Sequence, residues 1–146
     1  MDFFSSMRVS ASGLEAQMKR MNTISSNIAN AETTRTSDGG PYRRKDVVLG
    51  AIEDRESFDE ILTNELDQNV QKVQVMEIAE DEKPPRLVYN PDHPDANERG
   101  YVAMPNVNTV SEMANMISAQ RSYEANITAI NAAKSMAQKA LEIGNN

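Results

Sequence analysis

The chain has 146 residues, no cysteine, no Trp, 39% hydrophobic and 5% aromatic residues, and a formal net charge of −7. That length suits one modest domain, and the apolar share falls short of the near-half usual in a compact globule, so a thick core is not expected. The absence of cysteine excludes disulfides and thiolate metal sites, and an acidic chain without a basic stripe is poorly suited to binding nucleic acid.

Charge and proline both separate the middle of the chain from its flanks. Residues 43–100 hold 15 of the 22 acids and 8 of the 15 bases, so this segment carries the whole net charge and the flanks balance. The six prolines (Pro41, Pro84, Pro85, Pro91, Pro94 and Pro105) all lie between two proline-free stretches, 4–30 and 110–143, that read as amphipathic helices. The start, Met1-Asp2-Phe3-Phe4, has no basic segment followed by an unbroken apolar run, so no cleaved secretory signal is expected. No run approaches the length of a membrane span, and direct membrane insertion is not expected.

In the first helix Met7, Leu14, Met21 and Ile28 recur at heptad spacing, with Phe4, Ala11 and Met18 as the companion row and Ser25 interrupting it. Ser10, Ser12, Asn22, Ser26, Asn27 and Asn30 predict an uncharged polar opposite face, and the helix should end near Asn30-Ala31. Asp38-Gly39-Gly40-Pro41 marks a turn. Strands are predicted around 47–49, 73–75, 87–89 and 101–103, with one short helix suggested by Phe58, Ile61, Leu62 and Leu66.

The second helix should open at Thr109-Val110-Ser111-Glu112, which fits a capping box. Its predicted stripe is Met113, Met116, Ile117, Tyr123, Ile127, Ile130, Ala133, Ala137 and Leu141, with Gly144 as its stop and Lys134 and Lys139 near the negative end of the dipole. At 1.5 Å per residue the segment 110–143 reaches about 50 Å, too long for a small domain to cover. The expected architecture is therefore mainly α: long N- and C-terminal helices (1–31 and 105–146) pairing as a coiled coil, with a small acidic β-containing middle domain (32–104).

Chemical groups for catalysis are scarce. His93 is the sole histidine, and with Asp92, Asp95 and Asn97 it reads as a surface turn between Pro91 and Pro94 rather than a metal site. One histidine and no cysteine leave almost no material for a nucleophile–base pair. Glu80-Asp81-Glu82 reads as a solvated charge run. Neither cofactor nor metal is expected, and the chain does not read as an enzyme. Arg43-Arg44-Lys45 is the one basic cluster, either ordinary solvated charge beside a turn or a dock for an acidic partner surface. The methionines on the helices, Met18, Met21, Met113, Met116 and Met136, fill a core by default, though flexible thioethers also suit an interface with non-identical neighbours.

The run Ala11-Ser12-Gly13-Leu14-Glu15-Ala16-Gln17, followed by Asn22-Thr23-Ile24-Ser25-Ser26-Asn27-Ile28-Ala29-Asn30-Ala31, resembles the N-terminal signature of the flagellar axial proteins, the rod, hook and hook-associated subunits. Thr34-Arg35-Thr36, Gly39-Gly40-Pro41-Tyr42-Arg43-Arg44-Lys45, Gly100-Tyr101-Val102-Ala103-Met104-Pro105-Asn106-Val107-Asn108, Glu112-Met113 and Ser122-Tyr123-Glu124-Ala125-Asn126 look like its proximal-rod branch. The stretch from about Ala51 to Lys83 carries no recognisable motif.

The resemblance implies a structural subunit of the bacterial basal-body rod, exported through the flagellar type III apparatus without signal cleavage and assembled in the periplasm. Its terminal helices would form an inner coiled-coil tube around the export channel, and its middle would face outward. Implied partners are copies of itself, other rod subunits of the B, F and G types, the adaptor protein E and the rod cap. On this basis Leu14, Gln17, Met18, Met21, Asn27, Ile28, Asn30, Ala31, Met113, Ile117, Tyr123, Asn126, Ile127 and Ile130 are candidate subunit-interface residues, and Tyr42, Arg43 and Arg44 candidate partner-docking residues. The rival reading is a free-standing coiled-coil adaptor or secretion substrate that never enters a filament.

Overall fold

The computed structural model describes residues 3–53 and 71–144. The short helix expected around Phe58 to Leu66 lies outside these residues. The element order is α1 (Phe3–Ala29), β1 (Lys45–Glu53), β2 (Gln71–Glu80), β3 (Arg86–Tyr89), β4 (Tyr101–Met104) and α2 (Thr109–Gly144). β1 pairs with β2 in one two-stranded sheet, and β3 with β4 in another. The molecule is mainly helical with a small β region in the middle, and all four expected strands are present.

The helix ends follow from local chemistry. At the C-terminus of α1, Asn30 turns its side-chain Nδ2 back to the Ser26 carbonyl at 2.9 Å and receives the Thr33 hydroxyl on Oδ1 at 3.2 Å. The Ser26 carbonyl also accepts the Asn30 backbone N–H at 3.0 Å, so both bonds hold the turn that follows the helix. At the start of α2 the cap is Asn108 and not Thr109: Asn108 Oδ1 accepts from the backbone N–H of Val110 and of Ser111, both at 3.1 Å. The expected capping box does not form, because the Glu112 carboxylate points into the protein. α2 runs to Gly144 with no basic residue in its last turn, so Lys134 and Lys139 fall outside the short range of the dipole effect.

The chain folds as two compact units, each drawing on both helices and on the middle. In the first (Met1–Lys19, Leu49–Met76 and Ala119–Asn146), the contacts are close and small. Gly13 on α1 faces Asn126 on α2 so tightly that a Cβ added at Gly13 would lie 2.9 Å from the Asn126 amide nitrogen. Ala16, Ala119 and Ala133 are buried. Ser12 donates its hydroxyl to the Val9 carbonyl at 2.8 Å and accepts the Val73 N–H at 3.2 Å, which ties β2 to α1.

The second unit (Arg20–Val48 and Glu77–Ser118) holds the larger buried side chains, Ile24, Val102, Val107, Asn27 and Glu112. β3 and β4 form an antiparallel hairpin in the register Arg86↔Met104 to Tyr89↔Tyr101. Gly100 enters β4 at φ +75°, and a Cβ there would meet the Tyr89 ring at 2.9 Å. Tyr89 and Tyr101 stack edge to face with centroids 5.3 Å apart. Thr36 to Gly40 closes on itself, the Thr36 N–H bonding the Gly40 carbonyl at 2.9 Å and the Gly39 N–H the Thr36 carbonyl at 3.1 Å. His93 sits in a surface turn, where its Nδ1 accepts the Asp95 N–H at 3.1 Å.

The predicted helical faces need correction. On α2 the covered positions Glu112, Met116, Ala119, Tyr123, Asn126, Ile130, Ala133 and Ala137 alternate steps of four and three as a coiled-coil seam does, and Asn115 beside Met116 is half-buried as well. Met113, Ile117, Ile127, Met136 and Leu141 are exposed. On α1 the predicted row Met7, Leu14, Met21 and Ile28 is half-buried, while Ala11 and Met18 of its companion row are exposed, as is Ser25, which interrupts that row. The deeply buried side of α1 is Ala16, Thr23, Ile24, Asn27 and Ala31. Asn27 therefore lies on the covered face and not on the polar one. Glu112, Ala119 and Ala133 are the most deeply covered positions of α2, with Met116, Tyr123 and Ile130 half-buried between and beside them.

Candidate assembly interface

Three of the sequence candidates, Asn27, Tyr42 and Arg44, meet in one buried polar hub in the second unit. Asn27 is 0% exposed. Its Nδ2 donates to the Lys45 carbonyl at 2.7 Å and to Glu112 Oε2 at 3.1 Å. Its Oδ1 accepts the Lys45 N–H at 2.9 Å and the Tyr42 hydroxyl at 3.0 Å. The side-chain amide thus pairs with both backbone groups of one residue and uses its two donors and two lone pairs in full.

Glu112 is 2% exposed, and its other oxygen receives Arg44 Nε at 2.9 Å. Arg44 also donates through Nη1 to Asp46 at 3.1 Å. Burial works to lower the Arg44 pKa, but the hydrogen bonds to Glu112 and Asp46 outweigh it, so the value is raised above that of a free guanidinium. The charge is held in place by its partners. Arg44 also accepts the Asp81 N–H on its carbonyl at 2.7 Å, and Tyr42 donates its N–H to the Thr33 carbonyl at 3.0 Å. Tyr42 and Arg44 are therefore engaged within the chain. Arg43, by contrast, is exposed.

The remaining candidates fall into two groups. Leu14, Gln17, Met21, Ile28 and Asn30 on α1, and Tyr123, Asn126 and Ile130 on α2, are half-buried, and Ala31 is buried. Gln17 Oε1 is a buried acceptor without a hydrogen-bond donor among the described residues. Met18, Met113, Ile117 and Ile127 are exposed, Met113 at 55% and Ile117 at 53%. With Val110 at 76%, Met113 and Ile117 make an uncovered apolar row at steps of three and four on the first turns of α2. Met136, Leu141 and Ile143 are exposed toward its other end.

Sequence reasoning missed Glu112 as a buried partner and Asn108 as the cap. For Glu112 a signal existed, since an acidic residue at the head of the step-four, step-three row Met116, Ala119, Tyr123 and Asn126 occupies a seam position. Among the described residues no cluster of His, Asp or Glu could hold a metal ion, and no helix is long and apolar enough to cross a membrane.

Comparison with known proteins agrees with this picture of a packing subunit. Residues 7–35 match the family described as Flagella basal body rod protein, and residues 98–143 match Flagellar basal body rod FlgEFG protein C-terminal. The chain is 48% identical to the flagellar basal-body rod protein FlgC of Bacillus subtilis, over 99% of both chains. It is 46% identical to that of Borreliella burgdorferi over 98% of both, and 42% identical to that of Salmonella typhimurium over 93% of both.

Proposed function

The chain belongs to the flagellar basal-body rod protein FlgC family, and from that membership we propose that it packs its terminal helices against those of neighbouring subunits in the proximal part of the rod. It is a structural subunit of the basal-body rod and not an enzyme. In the proposed arrangement it transmits torque, its helices face the export channel, and its acidic middle faces outward. Its neighbours are further copies, rod subunits of the B, F and G types, the adaptor protein E and the rod cap. It reaches the periplasm through the flagellar type III export apparatus without signal cleavage.

One observation carries this reading above the others: the uncovered row Val110, Met113 and Ile117 beside a seam that is already closed within the chain. Internal pairing gives these exposed apolar side chains no role. Leu14, Gln17, Met18, Met21, Ile28, Asn30, Tyr123, Asn126, Ile127 and Ile130 are proposed to extend that packing surface, with Arg43 as the docking residue left free by its neighbours' inward turn.

The test is the double substitution Met113→Glu/Ile117→Glu. At exposed positions it should change the stability of the isolated chain by no more than about 0.5 kcal/mol per site. Cells carrying it should nevertheless build no complete rod and should not swim. Swimming cells with normal basal bodies would reject this face as an interface and favour the free-standing adaptor.

A further inference from the structure

The hub ties together three pieces of chain that are distant in sequence: the end of α1 through Asn27, the lead into β1 through Tyr42, Arg44 and Lys45, and the start of α2 through Glu112. In this unit only Glu112, Asn115 and Met116 of α2 are covered. So short a row discriminates weakly by shape between one setting of the helix and the next. A buried ion pair contributes little net stability, yet separating its members is strongly unfavourable. A polar residue at one seam position can by that means fix the register of a coiled coil.

We infer that the Asn27–Glu112–Arg44 hub is a register key, which sets where α2 begins against α1 in this unit and does so at little net gain in stability. A slip of one heptad would carry Glu112 about 10 Å along α1 at 1.5 Å per residue. The buried Asn27 amide would then lose its carboxylate and Arg44 would keep only Asp46, so the slipped state is disfavoured by chemistry and not by shape. This role concerns the single chain and does not depend on the rod reading.

The experiment compares the full chain with its Arg44→Met/Glu112→Leu variant, in which both buried charges are removed and the Asn27–Lys45 bonds stay. Because the chain has no cysteine, spin labels can be placed uniquely at Ala29→Cys and Ser111→Cys, both exposed and both in this unit. Pulsed electron–electron distance measurement should give one narrow distribution for the parent. For the variant it should give a second population displaced by up to about 10 Å, with helicity at 222 nm and the melting temperature retained. A single unchanged distance in the variant would overturn the register role. Loss of helicity or a large drop in melting temperature would overturn it as well, by making the hub a stabiliser of the ordinary kind.

Discussion

Asn27→Ala is the sharpest perturbation available, because every polar valence of that side chain is used. The substitution leaves the Lys45 N–H and C=O without their partner and takes one donor from Glu112. Tyr42 keeps a neighbouring hydroxyl, Ser26 Oγ, at 3.3 Å. An unpaired buried group costs about 1–3 kcal/mol. Lys45 is half-buried and can recruit water, so its two groups count at the low end, and the total comes to about 3 kcal/mol. That is a large share of the 5–15 kcal/mol typical of a whole domain. With a urea slope of about 1–3 kcal/mol/M, the midpoint should fall by roughly 1–3 M. Urea titration followed at 222 nm measures it. Asn27→Asp provides the second arm: it keeps an acceptor for Lys45 N–H and Tyr42 but sets a carboxylate against the Glu112 carboxylate, and should be worse than Ala. A loss below about 1 kcal/mol for Ala, or an Asp variant more stable than Ala, would refute the assigned hydrogen-bond pattern.

Other outcomes follow from the same geometry. Gly100→Ala places a Cβ at φ +75° against the Tyr89 ring and should cost about 1–3 kcal/mol, with a loss of near-ultraviolet tyrosine dichroism as the Tyr89–Tyr101 stack is displaced. Asn108→Ala should cost about 1 kcal/mol as the loss of a helix cap, while Thr109→Ala should be nearly neutral; urea midpoints of the two variants decide which residue caps α2. The isolated chain should gain helicity at 222 nm as concentration rises, because Met136, Leu141 and Ile143 are exposed at the far end of α2, and full helicity at high dilution would contradict this.

The fold was legible in the order of residues because helix length, proline position and strand composition are local properties. The two long helices, the four strands and the turn at Gly39-Gly40 all rest on such signals. Which face of each helix turns inward was legible in part: the predicted row of α1 is half-buried, and Met116, Tyr123, Ile130, Ala133 and Ala137 of the predicted stripe on α2 are covered. Ranking by size and hydrophobicity also chose Met113, Ile117, Ile127 and Leu141, which are exposed, and passed over Ala119, Asn126 and Glu112, because a small or polar residue at a seam position carries no apolar signal. The hub was hidden for a related reason. Asn27, Tyr42, Arg44 and Glu112 each have a plausible exposed reading, and only the fold brings them within 3.1 Å of one another.

The division of α2 into a covered seam and an exposed apolar row also divides the freedom to change. Adding even one methylene at the buried Ala119 or Ala133 would overpack the seam, typically at about 1–3 kcal/mol. Exchanging Met113 or Ile117 for another side chain leaves the subunit itself almost untouched. The outward row can therefore be rewritten to suit a new neighbour while the fold stays as it is. A designer seeking an orthogonal subunit, one that joins only its matched partner, would leave every seam residue alone and vary that row.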